Sequence, residues 1–427
     1  MSKLQELINK LCPNGVEFKP LGEVFEMRNG YTPSKNNPDF WEGGTIPWFR
    51  MDDIRENGRI LSDSIQHITP SAIKGKGLFE ANSFILATTA TIGEHALIIA
   101  DSLANQRFTN LKVRKSLSNL LVTKFIYYYM FIVDDFCKRN TNVSGFASVD
   151  MDKLKKMPFP VPPIEVQEEI VRILDSFSDY AAELQAELQA RKQQYEYYRN
   201  LLLTFNPSAY GCGTDDEQKD GVTTWAGHNY KIEWKKLGEI CNRICSGGTP
   251  TTSNKSFYNG SIPWLRTQEV NWSDVYDTEI KISEEAVKKS SAKLIPSNCV
   301  IIAMYGATAA KVCINRIPLT TNQACCNLEI NPQLASYKYV YYWLCNSYEK
   351  LKSMGEGSQN NINGMKIKQY PIPIPPLELQ EKIVAILDRF ETLVNDLTNG
   401  LPAEIAAVKD QYEYYRNKLL TFKKLTA

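Results

Sequence analysis

Apolar side chains recur every three or four residues over two long stretches of this 427-residue chain. In the first stretch they are Ile170, Leu174, Phe177, Ala181, Leu184, Leu188, Tyr195, Tyr198, Leu202 and Phe205, with one gap at Arg191. A spacing that averages about 3.5 residues is typical of helices that pair in a coiled coil. We therefore predict a helix of about 40 residues, roughly 60 Å long, in this stretch.

The second stretch repeats this pattern near the C-terminus. Its apolar residues are Ile383, Leu387, Phe390, Val394, Leu397, Leu401, Ile405, Val408, Tyr412, Tyr415, Leu419 and Phe422. We call each of these rows of apolar residues a seam. Two such seams in one chain predict that the helices pair antiparallel to each other. The regular spacing is interrupted between Leu401 and Ile405, and Asn399-Gly400 with Pro402 is typical of a helix end followed by a new start. We predict a kink there.

Outside the two seams the pattern alternates between short β-type runs and helical runs. Residues 83–87 and 299–303 have the character of strands, whereas residues 124–137 and 338–351 have helical periodicity. The predicted fold class is therefore α/β (α+β) in two tandem globular domains, which are joined by two long antiparallel coiled-coil helices.

The chain contains its own sequence twice, as a pseudo-two-fold internal repeat. PFPVPPIEVQEEIVRILDSF at 158–177 recurs as PIPIPPLELQEKIVAILDRF at 371–390, and QYEYYRN at 194–200 recurs at 411–417. Alternating prolines at the start of each long repeat predict an extended backbone that leads into the helix. Repeats of this length place two copies of one module in one protein.

The repeat predicts the domain boundaries. We expect an N-terminal helical segment at 1–16, a first globular domain at 17–157, a central helical spacer at 158–205, a linker at 206–231, a second globular domain at 232–370 and a distal helical spacer at 371–427. Within the central spacer, the four-residue unit AELQ occurs twice, at 182–189.

Composition and charge narrow the functional class. The chain has a net charge of +1, but residues 232–370 carry 16 Lys/Arg against 11 Asp/Glu, and residues 163–205 carry 4 against 8. Positive charge on the globular copies is consistent with DNA contact by those parts. Ten cysteines without metal-ligand spacing, no secretion signal and no long apolar run predict a cytoplasmic protein with reduced thiols and no membrane contact.

Residues that carry catalytic chemistry are sparse. The three histidines, His67, His95 and His228, do not recur at matching positions of the two copies. Residues 248–256 lack the second glycine of a phosphate-binding loop. We predict no catalytic residue, no metal site and no cofactor site in this chain.

Polar side chains that suit DNA recur in both globular copies. Asn, Gln and Arg can read base edges through paired hydrogen bonds, and Thr, Ser, Tyr and Lys on loops are typical phosphate contacts. The candidates in the first copy are Tyr31, Thr32, Lys35, Arg50, Thr88, Thr89, Thr91, Asn105, Gln106 and Arg107. Those in the second copy are Thr249, Thr251, Lys255, Arg266, Tyr305, Thr308, Asn322 and Gln323.

Together these features resemble the DNA-specificity subunits of type I restriction–modification systems. The resemblance spans nearly the whole chain and is carried by the duplicated order of LGE, TP, IPW and the proline strip with its helix, by the paired QYEYYRN helix ends and by the AELQ repeat. It implies that each globular copy is a target-recognition domain that reads one half of a bipartite double-stranded DNA site. Because the copies differ most in the globular parts, we expect an asymmetric target.

The resemblance also implies the partners. The helices would set the distance between the half-sites and dock two modification (methyltransferase) subunits, and restriction (endonuclease/translocase) subunits would complete the complex. S-adenosylmethionine, ATP and Mg would then belong to the partner subunits. The candidate docking and spacer residues are Leu184, Leu188, Tyr195, Tyr198, Leu401, Ile405, Tyr412 and Tyr415.

Two alternatives to a non-catalytic DNA-reading subunit remain open from the residues alone. One is a self-contained methyltransferase or nuclease with an unrecognised active site. The other is a helical scaffold without a role on DNA. Affinity of the isolated chain for S-adenosylmethionine would favour the enzyme, and failure to bind DNA with a modification partner would favour the scaffold.

Overall fold

The computed structural model describes residues 3–142, 147–205, 222–225, 228–355, 361–396 and 399–425. Most of the predicted linker at 206–231 therefore lies outside the described residues. The chain divides into two compact units. Unit 1 comprises Met1–Leu184 with Ile405–Ala427, and unit 2 comprises Gln185–Glu404.

Unit 1 is built on a mixed sheet that has helices packed against both of its faces. Its helices are α1 (Lys3–Leu11), α2 (Leu21–Val24), α3 (Met51–Asn57), α4 (Thr123–Arg139), α5 (Met151–Lys156) and the start of α6 (Ile164–Leu203). Its strands are β1 (Glu17–Pro20), β2 (Phe25–Asn29), β3 (Ile46–Phe49), β4 (Ile60–Leu61), β5 (His67–Ile68), β6 (Ser83–Ala87), β7 (His95–Ile98), β8 (Leu103–Ala104), β9 (Phe108–Val113), β10 (Thr141–Asn142), β11 (Ser148–Val149) and β12 (Pro158–Val161).

The main sheet of unit 1 has five strands in the order β2-β9-β6-β7-β4, and a smaller sheet has the order β5-β3-β8. The central strand β6 is buried along its whole length because both of its faces are covered. Phe84 and Leu86 belong to the core that contains α4, whereas Ile85 and Ala87 belong to the core that contains the smaller sheet. Its uninterrupted apolar run reflects this two-sided burial, because a strand with one solvent-exposed face would alternate apolar and polar residues.

Unit 2 repeats this arrangement. Its helices are α7 (Glu284–Lys288), α8 (Tyr337–Asn346), α9 (Tyr348–Ser353), α10 (Gly364–Gln369) and α11 (Leu377–Asn395), and α12 (Leu401–Leu419) then enters unit 1. Its strands are β13 (Val222–Trp225), β14 (His228–Lys231), β15 (Glu233–Lys236), β16 (Cys241–Ser246), β17 (Ile262–Leu265), β18 (Asp274–Val275), β19 (Lys281–Ile282), β20 (Val300–Ala303), β21 (Val312–Asn315), β22 (Thr320–Thr321), β23 (Cys325–Ile330) and β24 (Pro371–Ile374). The sheet orders β16-β23-β20-β21-β18 and β19-β17-β22 match those of unit 1 strand for strand.

The proline strips are strands of the globular units. β12 pairs antiparallel with β1, with Pro158 opposite Pro20, and β24 pairs antiparallel with β15, with Pro371 opposite Lys236. Each pairing is a two-stranded ribbon, so both strands are edge strands. Proline, which lacks the backbone N–H donor, is tolerated in an edge strand. The strips therefore fix the start of each long helix to its own unit.

The first long helix is continuous, and the second is interrupted as predicted. α6 extends over 40 residues from Ile164 to Leu203. α11 ends at Asn395 and α12 begins at Leu401, so the predicted kink is a complete break between two helices. Gly400 lies against the end of α11, because a Cβ on it would lie 2.4 Å from the carbonyl oxygen of Thr392.

Ring contacts join α6 to a C-terminal helix within each unit. In unit 1 Phe177 of α6 stacks on Tyr415 of α12, with ring centroids 5.4 Å apart. In unit 2 Tyr198 of α6 stacks on Phe390 of α11, with centroids 5.5 Å apart. Each contact thus joins α6 to the C-terminal helix that lies in the same unit.

A buried charged cluster distinguishes unit 1 from unit 2. The Nδ1 atom of His95 lies 2.7 Å from Oδ2 of Asp134, and Nη1 of Arg59 lies 3.2 Å from the same oxygen. His95 is fully buried. Burial lowers the pKa of His95 below its ordinary value, although the Asp134 carboxylate acts in the opposite direction. In unit 2 the strand that corresponds to β7 begins with Val312, which is apolar.

This cluster predicts a pH-dependent loss of stability. Because the folded state holds the pKa of His95 below the unfolded value of 6.5, the unfolded chain binds an additional proton as pH falls. The stability that His95 contributes is thus complete above pH 6.5 and is lost below it. We expect the parent to lose about 1 kcal/mol more than His95→Val between pH 7 and pH 5.5. Denaturant unfolding at both pH values measures this difference, and the half-buried His67→Asn serves as the control.

Candidate nucleic-acid interface

The tryptophan of each IPW motif supports a loop of the candidate interface. Trp48 donates from Nε1 to the carbonyl oxygen of Tyr31 at 3.0 Å, and Trp264 donates to that of Gly248 at 3.0 Å. Both tryptophans are buried. The motif therefore positions the loop that follows β2 or β16.

A threonine–glutamine hydrogen bond joins the same two loops in each unit. Thr32 donates from Oγ1 to Oε1 of Gln106, and Thr249 donates to Oε1 of Gln323. Each of these residues is 217 positions from its counterpart. The bond brings the loop after β2 next to the turn before β9, so candidates that are about 70 residues apart in sequence share one surface.

These loops and α3 enclose a cleft in unit 1 of about 330 Å³, which we call the unit-1 cleft. It is lined by Thr32, Lys35, Trp48, Arg50, Met51, Asp52, Arg55, Thr91, Asn105, Gln106 and Arg107. Four of these side chains are cationic, and Asp52 is the one acid among the described lining residues. Seven of the ten unit-1 candidates thus converge on one electropositive concavity, which is the type of surface that DNA acceptors fit.

Arg55 is a cleft residue that the sequence prediction missed. It lies on α3, five residues after Arg50, and its side chain is 62% exposed. Its guanidinium lies 3.9 Å from Asp52. A helix predicted directly after the IPW motif would have carried Arg55 five residues after Arg50. That spacing could have indicated that the two arginines lie near each other.

Three of the candidate hydroxyl groups form hydrogen bonds within the protein, and their role as DNA contacts stays a prediction. The Tyr31 hydroxyl donates to the carbonyl of Ala72 at 3.0 Å and accepts from the N–H of Lys74 at 2.8 Å. Thr88 is buried and lies 3.1 Å from the hydroxyl of Thr109. Thr308 donates to the carbonyl oxygen of Thr267 at 2.8 Å. Each of these hydroxyls binds a group of its own unit, and Tyr31 and Thr308 remain half-buried.

Thr89 lies outside the unit-1 cleft. Its backbone forms a bridge with Ser148, and its side chain is half-buried.

The unit-2 candidates include both exposed and constrained side chains. Thr251, Lys255, Tyr305 and Gln323 are exposed. Asn322 has a buried Oδ1 with no hydrogen-bond partner among the described residues. Arg266 is held by Glu269, whose Oε1 lies 3.3 Å from its Nε, and by Glu279. The guanidinium that motif order predicted to be a contact is therefore already bonded within the unit.

Most of the predicted docking residues pack inside the chain. Leu184, Leu188 and Leu401 are 5–6% exposed. Tyr195 and Tyr198 pack on the core of unit 2, and Tyr412 packs on that of unit 1. Ile405 is half-buried, and Tyr415 is 39% exposed but stacks on Phe177. These side chains pack against other parts of the chain, and most of them offer little surface to a partner.

The exposed aromatic residues of the helix ends are others, which the prediction missed. Tyr197 is 63% exposed and Tyr414 is 59% exposed. They occupy the same place in the two QYEYYRN motifs. The apolar spacing indicated the tyrosines that pack inward, whereas the remaining tyrosine of each motif is exposed.

The described ranges contain no group of three or more His, Cys, Asp or Glu side chains placed to hold a metal ion. The nine described cysteines are free. Burial raises the pKa of the Cys241 and Cys299 thiols to about 12, which disfavours the nucleophilic thiolate. None of the helices in the described part of the chain is long and apolar enough to cross a membrane.

Comparison with known proteins identifies the architecture. Residues 13–191 and 230–407 each match the model of the type I restriction modification DNA specificity domain. The EcoprrI type I restriction enzyme specificity subunit of Escherichia coli is 52% identical over 426 residues, which cover 96% of this chain and 94% of the relative. The EcoR124I/EcoR124II type I restriction enzyme specificity subunit of Escherichia coli is 32% identical, and the match covers 99% of this chain and 98% of that relative.

Solved structures share the fold at lower identity. A chain from a structural study of complex assembly and conformational transition in the type I R-M system has a TM-score of 0.62 at 18% identity, and covers 96% of this chain and 98% of its own. The HsdS subunit of Thermoanaerobacter tengcongensis has a TM-score of 0.56 at 16% identity, with 96% and 97% covered. Both likenesses extend over the two units and the long helices.

Proposed function

The chain belongs to the type I restriction modification DNA-specificity family, and from this premise we propose that it is the subunit that directs such a complex to its DNA sequence. It is a non-catalytic subunit, since its relatives are specificity subunits. The alternative of a self-contained methyltransferase or nuclease is not supported. We further propose that each unit reads one half of a bipartite, asymmetric double-stranded site.

The proposal rests on one observation: the hydrogen bonds that position the loops recur in both units, whereas the charged side chains on those loops differ. The Thr–Gln bond and the tryptophan–loop bond recur in both units. Three cleft cations do not recur, because the positions that correspond to Lys35, Arg55 and Arg107 hold Thr252, Asn271 and Ala324. One scaffold with two sets of reading groups suits two different half-sites.

Contact with DNA in unit 1 is assigned to the unit-1 cleft. Arg107 and Gln106 are exposed on the turn before β9, and Asn105 stabilises that turn by accepting the N–H of Arg107 at 2.9 Å. Arginine and glutamine can each make two hydrogen bonds to one base edge, and Lys35 suits a phosphate. In unit 2 the equivalent surface offers Thr249, Thr251, Lys255, Tyr305 and Gln323.

The helices are assigned the spacer and the docking surface. The buried seam of α6, α11 and α12 would fix the separation of the two reading surfaces. Two modification subunits would dock on the two equivalent helix ends that expose Tyr197 and Tyr414, and restriction subunits would complete the complex. S-adenosylmethionine, ATP and Mg would be bound by these partners, and the complex would act on DNA in the cytoplasm.

Methylome sequencing tests the main proposal. A host that carries this chain with its modification subunit should methylate one bipartite motif with two different half-sites, and a host that lacks this chain should not. The isolated chain should have no measurable affinity for S-adenosylmethionine. A palindromic motif would contradict the two-reader proposal, and methylation without this chain would contradict the specificity role itself.

Deletion of one AELQ unit from residues 182–189 tests the spacer. Four residues contribute about 6 Å to a helix, which compares with roughly 3.4 Å of rise per base pair. We therefore expect the deletion to shorten the preferred spacer by one or two base pairs and to leave both half-sites unchanged. The measurement is the methylated motif, and Glu183→Gln, which keeps the helix length, is the control. Altered half-sites would refute the spacer role.

A further inference from the structure

The backbone around the arginine after each IPW motif is held in the same way in the two units. In unit 1 the carboxylate of Asp53 accepts from the N–H of Arg50 at 2.6 Å and from the N–H of Ile65 at 2.6 Å. This places position 65 beside the arginine. Ile65 is itself 48% exposed and contributes no charge.

In unit 2 the corresponding acid is Glu269. It accepts from the N–H of Arg266 at 3.2 Å and from the N–H of Glu279 at 3.0 Å. Position 279 therefore occupies in unit 2 the place that Ile65 occupies in unit 1. The difference is that its side chain is a carboxylate.

That carboxylate changes the state of the arginine. Nη2 of Arg266 donates to Glu279, and its Nε donates to Glu269 at 3.3 Å. The Gln268 amide, in the orientation that satisfies both of its polar atoms, accepts from Nη1 at 3.0 Å and from Nη2 at 2.8 Å. Two carboxylates and one amide thus surround this guanidinium.

Arg50 has far fewer partners. Its nearest carboxylate is that of Asp52, 3.8 Å from Nη2, which is beyond hydrogen-bonding distance. Its Nε is buried and makes no hydrogen bond within the described residues. The side chain lines the unit-1 cleft with three further cations. An arginine in this state has donors to offer to an incoming acceptor.

We propose that positions 65 and 279 decide whether the arginine of each unit is available to DNA. Ile65 leaves Arg50 free to bind acceptors of the half-site that unit 1 reads, whereas Glu279 retains Arg266 within unit 2. If Arg266 binds DNA, it must first give up its hydrogen bonds to the carboxylates, so the net free energy of binding that it contributes is small. The carboxylate that it leaves behind also repels the DNA phosphates. This inference rests on the proposed function and deepens it, because the two half-sites then depend on charge to different extents.

A reciprocal exchange tests the inference in the complex with modification subunits. Ile65→Glu supplies the missing carboxylate, and we expect about tenfold weaker binding of cognate DNA and a salt slope smaller by about one. Glu279→Ile removes the carboxylate from Arg266, and we expect several-fold tighter binding and a salt slope larger by about one. The measurement is the Kd for a cognate duplex at several salt concentrations.

Matched variants separate this effect from net charge. Ile99→Glu and Glu349→Ile make the same two changes at exposed positions outside the loops of the interface and should leave the salt slope unchanged. Ile65→Gln, which is polar but uncharged, should bind like the parent. Tm values measured alongside confirm that each variant is folded, which is expected because positions 65 and 279 are exposed.

Duplexes with one half-site scrambled in turn identify the half-site involved. The loss caused by Ile65→Glu should be confined to duplexes that keep one particular half-site, and the gain caused by Glu279→Ile to duplexes that keep the other. Exchange variants that bind like their matched controls would overturn the inference. A parent complex that does not prefer cognate to fully scrambled DNA would instead overturn the proposed function.

Discussion

Replacement of Gln167 by leucine is expected to lower the free energy of unfolding by about 3–5 kcal/mol. This side chain, near the start of α6, is fully buried. Nε2 donates to the carbonyl oxygens of Leu120 at 2.7 Å and of Pro162 at 2.6 Å, and Oε1 accepts from the N–H of Val122 at 2.8 Å. Leucine fills a similar volume but leaves these three backbone groups without their partner, and each such loss costs about 1–3 kcal/mol.

The same arrangement occurs in unit 2, so the two substitutions can be compared within one protein. Gln380 donates to the carbonyl oxygens of Leu334 at 3.3 Å and of Pro375 at 2.8 Å, and it accepts from the N–H of Ser336 at 2.9 Å. All three of these bonds are longer than their unit-1 counterparts. We therefore expect Gln380→Leu to destabilise the protein by a similar or slightly smaller amount.

Denaturant unfolding of the full chain measures both effects. The control is Gln193→Leu, which makes the same substitution at an exposed position of α6 and should change stability by about 0.5 kcal/mol or less. If Gln167→Leu behaved like this control, the buried glutamine would not be what attaches the helix to its unit. Retention of DNA specificity by a folded Gln167→Leu complex would show that the glutamine serves stability alone.

The helices could be predicted well from the sequence because their signal is local. The seam from Ile170 to Phe205 depends on spacings of three and four residues, and the observed helix from Ile164 to Leu203 follows it closely. The break near Gly400 was likewise encoded by neighbouring residues. By contrast, the pairing of Pro158 with Pro20 joins residues 138 positions apart, and no local pattern contains that information.

At the candidate interface the sequence indicated which loops recur but not how individual side chains are bonded. The threonine and the Asn-Gln pair recur in both copies, and the structure shows that the loops that carry them meet in each unit. Arg50 and Arg266 follow the same motif, yet one lines a cleft and the other is bonded to Glu279. That bond depends on how the chain returns to the arginine 13 positions later, which composition does not reveal. Tyr31 has glycine at the matching position 248, a difference that could have indicated an internal role.

Replacement of Gly30 by alanine is expected to weaken binding of cognate DNA by about 10- to 100-fold, or roughly 1.4–2.8 kcal/mol. Gly30 lies where the loop after β2 crosses the turn before β9. A Cβ on it would lie 2.2 Å from the carbonyl oxygen of Ala104 and 2.4 Å from that of Asn105. Because these contacts are with backbone, rotation of a side chain cannot relieve them, and the turn that carries Gln106 and Arg107 must move.

The repeat again supplies the matching variant. A Cβ on Gly247 would lie 2.0 Å from the carbonyl oxygen of Thr321, so Gly247→Ala should disturb the corresponding turn of unit 2. Gly364→Ala is the control, because within the described part of the chain the nearest atom to its Cβ would be the Met304 sulfur, at an ordinary contact distance of 3.7 Å. Binding is measured with the assembled complex on duplexes in which either half-site is scrambled.

The two glycine variants should differ in which half-site they affect. If each unit reads its own half-site, Gly30→Ala loses the preference for one half-site and Gly247→Ala loses the preference for the other, while each retains the remaining preference. Loss of both preferences by Gly30→Ala, in a complex whose Tm is close to that of the parent, would mean that the two units do not read independently. Unchanged binding by both variants would mean that the crossing of these loops does not position the groups that contact DNA.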